Sequence, residues 1–424
     1  MRIAYNLLTY LLFIPYACYW LFRAIVNPVY RPKTGQRFGA GYPKLKSAIW
    51  VHAVSVGEVV ASAPLVRALI RENPGRDVIV TTVTPTGAAR VEALFGDEVS
   101  HAYIPFEFPH AVARFFARVD PALALIVETE IWPNLYSGCG RRKIPLVLVS
   151  ARISPKSVRN YRKLLPLFRE TLSHGIVIAA QSKIDADRFL SLGASPTRTR
   201  VTGNIKFDIE LPGDITEHGR ALREEVFGER PVWIAASTHD GEEAIVLDAH
   251  RMLLESHPDL LLVLVPRHPE RFDPVHEELL RRKFSTVRRT DGRPAAAETQ
   301  VFLGDTMGEV TLFYAACDVA FVGGSLVPIG GHNLLEPAAL GCPVVTGPHL
   351  FNAPEIADRF INEDACRIVS DEGELAAAVA RLLDDPSLRD RLGLNGRALL
   401  ERNRGSLERL LELVRPITSE QAKK

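Results

Sequence analysis

The stretch SAIWVHAVSVGEVVASAPLVRALI, Ser47–Ile70, decides how the whole chain is read. Its first part, AIWVHAV, is a continuous apolar run of strand length, and ASAPLVRALIREN after it repeats apolar residues at helical spacing. Between them the sequence turns tightly at Gly57 and leaves Glu58 where strand passes into helix. A continuous apolar strand followed by a helix points to a parallel sheet covered on both faces. Two readings of Glu58 stand at this point. It is an ordinary first-turn acid that suits a helix start, or a carboxylate set at the carboxyl end of a strand, where open α/β sheets bind ligands.

The same alternation runs outward from this stretch. DVIVTTV, ALALIVE, PLVLVS, GIVIAAQ and RVTGN read as further strands, with helix-period segments such as HAVARFFARV between them. The polar segment KFDIELPGDITEHG, Lys206–Gly219, interrupts the pattern. VWIAAS, LLLVLVP, QVFLGD, DVAFVGGS and PVVTG form a second series, and a charged helical tail follows. A chain of 424 residues exceeds one compact core. The expectation is an α/β chain with two Rossmann-like domains, 36–207 and 220–395, facing across a cleft. A linker at 208–219 joins them, and 396–424 forms the helical tail.

The N-terminal segment stands apart. MRIAYNLLTYLLFIPYACYWLFR carries no charge between Arg2 and Arg23, about the length that spans a bilayer core. Tyr16, Tyr19 and Trp20 gather at its far end, as interfacial aromatics do. No small-x-small cleavage site follows, which disfavours a signal peptide. Residues 1–27 are therefore expected to be a membrane anchor, spanning the bilayer or lying in its interface, with a buried core helix as the competing reading. Arg23, Arg31, Lys33 and Arg37 follow it, and positive residues on that side place the body of the chain in the cytoplasm.

Composition excludes some functions. The net charge of +1 gives no global basicity for nucleic acid. The five cysteines are scattered, with no CxxC pair and no metal-ligand spacing with histidines, which fits a reduced compartment. Neither a Walker loop nor a G-x-G-x-x-G after the first strand occurs, which argues against a dinucleotide oxidoreductase.

Several strand-end segments carry chemistry. In FVGGSLVPIGGHNLLEPAALGCPVVTG, Phe321–Gly347, glycine pairs allow close approach to a ligand and a helix opens near Asn333, which suits a phosphate. Glu336 suits ribose hydroxyls, although Asn333 and Glu336 also fit a helix-capping pair. VPRHPERF sets Arg267 and His268 after a strand, and GDTMGEV sets Met307, Gly308 and Glu309 in another strand-end loop. ETEIWPNL places Glu128 and Glu130 at one strand end, and GNIKFD places Lys206 at the domain junction. Each has a plain structural alternative as a helix-start acid, a solvated charge or a linker lysine. The basic, apolar-mixed RNYRKLLPLFR, Arg159–Arg169, suits anionic headgroups or is an ordinary surface helix.

HAVSVGE, ETEIWPN, GNIKFD, PRHPERF, DTMGE and GGSLVPIGGHNLLEPA, in this order behind an apolar N-terminal helix, resemble the 3-deoxy-D-manno-octulosonic acid (Kdo) transferases of lipopolysaccharide synthesis. The resemblance covers nearly the whole chain. It implies the GT-B glycosyltransferase fold, CMP-Kdo as donor, a lipid A precursor as acceptor at the cytoplasmic face of the inner membrane, inversion at the anomeric carbon, and no tightly held metal or other cofactor. Glu58 resembles the family's catalytic base, and Glu128 and Lys206 its transition-state supports. Pro266, Arg267, Met307, Gly308, Glu309, Asn333, Leu334, Leu335 and Glu336 resemble its CMP-binding positions. A UDP-sugar transferase or epimerase of the same fold, and a non-catalytic sugar-nucleotide-binding module, are the rival readings.

Overall fold

The computed structural model describes residues 2–173, 175–209 and 211–422. The chain divides into two units. One holds the residues up to Asp208 together with those from Asn403 onward, and the other is Ile209–Arg402.

The first unit is built on seven parallel strands among the described residues: β1 (Ala48–His52), β2 (Val78–Thr82), β3 (Ser100–Tyr103), β4 (Pro121–Val127), β5 (Leu146–Ala151), β6 (Val177–Ala180) and β7 (Thr199–Val201). Their order is β3-β2-β1-β4-β5-β6-β7, so the sheet reverses its winding between β1 and β4. The apolar strand runs of the sequence explain this arrangement, because both faces are covered. Trp50, Phe115, Phe116 and Tyr136 fill one side, and Val51, Leu65, Val66 and Leu69 the other. The helix Ser406–Ala422 completes that second face, where Leu410, Leu411 and Val414 are buried. The Asp208 carboxylate ties down its start by accepting the amides of Gly405 at 2.6 Å and Leu407 at 2.7 Å.

The second unit repeats the scheme with β8 (Val232–Thr238), β9 (Leu261–Pro266), β10 (Thr286–Arg288), β11 (Val301–Leu303), β12 (Val319–Val322), β13 (Val344–Thr346) and β14 (Cys366–Ile368). The order is β10-β11-β9-β8-β12-β13-β14, all parallel, with the reversal between β8 and β12. The segment 208–219 is irregular where it is described as far as Asp214. It then enters the helix Ile215–Leu222, whose Gly219 lies so close to Ala315 that a Cβ would meet its side chain at 2.4 Å. Residues 396–424 fall in two helices. Pro386–Asn403 buries Leu388 and Leu392 in the second unit, and Ser406–Ala422 returns to the first.

The N-terminal segment forms two helices, Arg2–Leu11 and Phe13–Val26, bent by 46°. Among the described residues no single helix is long and apolar enough to cross a membrane; the bent pair together has the length and composition. Pro15 sits in the first turn of the second helix, where its missing N–H costs little. One side packs on the first unit: Trp20 is buried near Phe106, and Phe13 meets Phe108 edge-on at 4.8 Å. Arg37 lies beneath, its guanidinium 4.3 Å from the Trp20 ring and 4.2 Å from that of Tyr103. The Tyr5 hydroxyl donates to Glu107 at 3.1 Å, a carboxylate that also accepts the Asn134 and Leu135 amides at a helix start. The other side is bare apolar surface that includes Leu7, Leu11, Ile14, Leu21 and Phe22.

The closing helix is core of the first unit, so shortening its buried residues exacts a core cost. Leu410→Ala is expected to lower stability by about 2–5 kcal/mol in chemical unfolding of the detergent-solubilised protein. A change below about 0.5 kcal/mol contradicts this placement.

Candidate active site

In the first unit the winding reversal between β1 and β4 opens a crevice at the carboxyl ends of these strands, the place where doubly wound sheets bind ligands. The helix Val56–Glu72 starts from β1 with Ser55 as its cap. Glu58 occupies the first turn, and its Oε2 accepts the Val54 amide at 2.6 Å. Its Oε1 meets the Ser55 hydroxyl at 3.5 Å, a weak bond that leaves this oxygen available. The helix-start reading of Glu58 therefore holds for one oxygen only. A Cβ at Gly57 would find nothing nearer than the Ser55 hydroxyl at 4.0 Å, so the turn is open on that side.

Glu128 follows β4 directly in a left-handed conformation, with φ 58°, which is unusual for a side-chain-bearing residue. The turn aims its carboxylate at two cations. Lys206 Nζ donates to Oε1 at 2.7 Å and Arg152 Nε to Oε2 at 2.9 Å. Arg152 comes from the end of β5. Lys206 comes from beyond β7 and is carried back over the strand ends by side-chain relays: the Ser150 hydroxyl accepts the Ile205 amide, and Asn204 Nδ2 donates to Gln181. Glu130 is held by the Trp132 indole at 2.6 Å.

The electrostatics separate these acids. Burial raises the Glu58 carboxyl, the charge of Glu128 raises it further, and the Val54 amide opposes; the result is about 7. Burial would raise Glu128 too, but Lys206 and Arg152 outweigh it and hold this carboxyl below the usual range. Burial also raises Glu130. Glu58 is thus a carboxyl poised near neutrality beside a Glu128 that its two cations keep ionised at that pH.

The second unit has its own reversal between β8 and β12. Gly241-Glu242 there repeats the Gly-Glu pair at the start of the helix after the first strand, with Gly241 as the cap, yet Glu242 is fully buried. Its carboxylate accepts the amides of Gly324 at 2.7 Å, Ser325 at 3.0 Å, Leu326 at 2.9 Å and His239 at 3.3 Å. It holds the loop after β12 against the loop after β8. The sequence signal was the repeated Gly-Glu, which was not singled out.

Pro266 ends β9, and the Arg267 amide bonds to the Thr238 carbonyl. Among the described residues, no carboxylate lies within ion-pair distance of the Arg267 guanidinium. Met307 is exposed, and Gly308 has a left-handed φ of 88°. The Glu309 carboxylate is engaged by Arg289 at 2.8 Å and by the Thr306 hydroxyl. Asn333 accepts the Leu335 amide and donates to Glu336 at 3.0 Å, so the two side chains pair with each other; the cap of the helix is Leu334, which makes no side-chain cap bond, and the capping box that the sequence suggested is not the arrangement found. The helix that they open, Leu335–Ala339, has five residues, too few for the strong helix-start field that the sequence suggested. Leu334 and Leu335 are buried beneath the loop.

The first-unit geometry fixes how Glu58 should titrate. Its carboxyl is expected to be half-ionised near pH 7. Lys206→Met removes a cation that lowers it, so the midpoint moves up. Glu128→Gln removes the anion that raises it, so the midpoint moves down. Infrared difference spectroscopy of the carboxyl band, assigned with Glu58→Gln, reads both shifts. Midpoints that stay in place in both variants contradict the coupling.

Comparison with known proteins agrees with this architecture. Residues 32–209 match the family described as 3-Deoxy-D-manno-octulosonic-acid transferase (kdotransferase), and residues 229–399 match Glycosyl transferases group 1. A 3-deoxy-D-manno-octulosonic acid transferase of Haemophilus influenzae is 43% identical over 94% of both chains. One of Bordetella pertussis is 37% identical over 91% of both. The crystal structure of a UDP-GlcNAc 2-epimerase from Neisseria meningitidis bound to UDP-GlcNAc shares the fold at 15% identity, covering 86% of this chain and all of that one with a TM-score of 0.55. The paired Rossmann-like units are those of a GT-B glycosyltransferase, and the chain belongs to the family of 3-deoxy-D-manno-octulosonic acid transferases.

Proposed function

We propose that this protein transfers Kdo from CMP-Kdo to a lipid A precursor, with inversion at the anomeric carbon and Glu58 as the base. Family membership supports the reaction class. The observation that carries the mechanism is the Glu58 carboxyl, raised to about 7 by burial and the neighbouring Glu128 charge. An exposed carboxylate is a weaker base for an attacking alcohol, whereas one near 7 is more basic and still substantially ionised at cytoplasmic pH.

In this mechanism Glu58 accepts the proton of the acceptor hydroxyl. The oxygen forms its bond to the anomeric carbon, the carbon–phosphate oxygen bond breaks, and CMP departs with the electron pair. Lys206 and Glu128 keep a fixed cation–anion pair beside the reacting carbon. On the donor side, Arg267 meets the phosphate, and Pro266 and Met307–Gly308 offer surface for the base. Glu309, Asn333, Leu334, Leu335 and Glu336 shape the loops around the nucleotide, because their polar groups are largely engaged with one another and with Arg289.

Residues 1–27 attach the protein to the cell inner membrane, with both units on the cytoplasmic side. The bend between the two helices, the packed aromatic side and the bare apolar side favour a helix pair lying in the interface over a straight span. Arg2 lies 3.8 Å from Glu170, beside the basic segment Arg159–Arg169, which extends this face with charges suited to anionic headgroups.

The experiment is CMP release by detergent-solubilised protein given CMP-Kdo made in situ, with and without tetra-acylated lipid A precursor. Wild type is expected to release CMP only with acceptor, and Glu58→Gln to lose about 10²–10⁴-fold in rate while still binding CMP. Unchanged release in the variant removes Glu58 from the mechanism. No acceptor-dependent release by wild type overturns the reaction itself and favours a different donor or a binding module.

A further inference from the structure

Three histidines of the second unit stand together at the carboxyl ends of its strands. His239 follows β8 and His332 lies in the loop after β12. Their Nε2 atoms are 2.8 Å apart, with ring centroids 5.0 Å apart and planes within 2° of parallel. His268, next to Arg267 after β9, turns its ring edge-on to His239 at 5.3 Å. Gly324 permits the contact: it has a φ of 66°, and a Cβ there would meet the His332 ring at 2.8 Å.

Structural need does not account for the pair. Glu242 already holds the two loops together through four backbone amides. A metal role is not supported either, since no group of three or more ligating side chains is placed to hold an ion among the described residues. Two imidazoles facing through Nε2 share one proton: one donates, and the other accepts and must carry its own proton on Nδ1. The surroundings are cationic. Arg267, Arg271 and His268 all bear on the pair; Arg271 is paired with Asp240 at 2.9 Å and with Glu243 at 3.2 Å, and Glu242 is turned to the backbone. Burial first, and then these cations, push His239 down; burial and His239 push His332 down to about 3. The site is a neutral histidine pair beside an arginine that has no carboxylate at ion-pair distance among the described residues, with the nearby carboxylates engaged by Arg271 and by backbone amides.

We propose that His239 and His332, with Arg267, seat the phosphate of the donor nucleotide, and that the pair takes up one proton as the phosphate docks. The proton adds to the free Nδ1 of the donating ring, making the Nε2–H···Nε2 link charge-assisted. A second proton would put two N–H groups face to face, so uptake stops at one. The phosphate gains a negative charge when its bond to the sugar carbon breaks, and the protonated pair meets that charge where it develops. The proton returns to solvent as CMP leaves. This inference rests on the reading of the donor as a CMP-sugar.

Calorimetric titration of the full chain in detergent with CMP, and with cytidine, at pH 7 in buffers of different ionisation enthalpy tests it. The variants are His332→Gln and His239→Gln, each checked for a native circular dichroism spectrum; a variant that fails the check leaves the other to decide. Free CMP ionises alike in every titration, so the differences report the protons held by the bound complex, histidine pair and phosphate together. Wild type is expected to take up about half a proton or more per CMP beyond either variant, with no such difference for cytidine, and its CMP affinity to fall up to about tenfold more per pH unit above 7. Equal uptake in wild type and variants overturns the proposal. If wild type binds a uridine nucleotide and not CMP, the CMP-sugar reading fails separately, and the same difference measured with that nucleotide decides the histidine claim.

Discussion

The candidate active site rests on the clamp at Glu128. One carboxylate, forced into a left-handed turn at the reversal of the first sheet, draws in Arg152 from β5 and Lys206 from beyond β7. Such a cluster is a poor source of net stability, because desolvating three charges offsets much of their attraction. What it provides is position. It fixes charge at the strand ends, and it lets a fourth group, Glu58, feel an anion that stays ionised at neutral pH. Without the two cations, Glu128 would be the acid that shifts upward, and the two carboxyls would compete for one proton.

The two units show how environment decides what a residue does. Gly57-Glu58 and Gly241-Glu242 both stand at the start of the helix after the first strand of each sheet, two positions apart in register: Glu58 is the third residue of its helix and Glu242 the first. Glu58 satisfies one oxygen with one amide and keeps the other nearly free. Glu242 is wholly buried and accepts four amides, which makes it a strut between loops. The same dipeptide thus leaves a nearly free carboxylate oxygen in one unit and builds loop architecture in the other.

Much of this was legible in the sequence, and the exceptions have physical causes. The eleven strands read as apolar runs are all present. The three that were not read, β3, β10 and β14, are all sheet-edge strands, and their partly exposed residues, as in SHAY and TVR, carry no continuous apolar signal. The strand-end residues Glu58, Glu128 and Lys206 were legible because loops after parallel strands carry ligand chemistry. Their mutual distances were not, since Lys206 reaches Glu128 across 78 positions of sequence. Likewise, nothing local reveals that Glu309 is held by Arg289, or that His239 faces His332 across 93 positions. Long-range pairing of this kind is set by topology, which periodicity does not encode.

The central claim is that a carboxyl near neutrality limits the reaction. The most direct measurement is the single-turnover rate of Kdo transfer as a function of pH between 5 and 9, at saturating donor and at acceptor concentrations well below saturation. The account predicts a rate that rises with unit slope below about pH 7 and levels above it, as the Glu58 carboxyl loses its proton. A rate that is flat from pH 5.5 upward would contradict it, because a base with an ordinary carboxylate pKa is already ionised there.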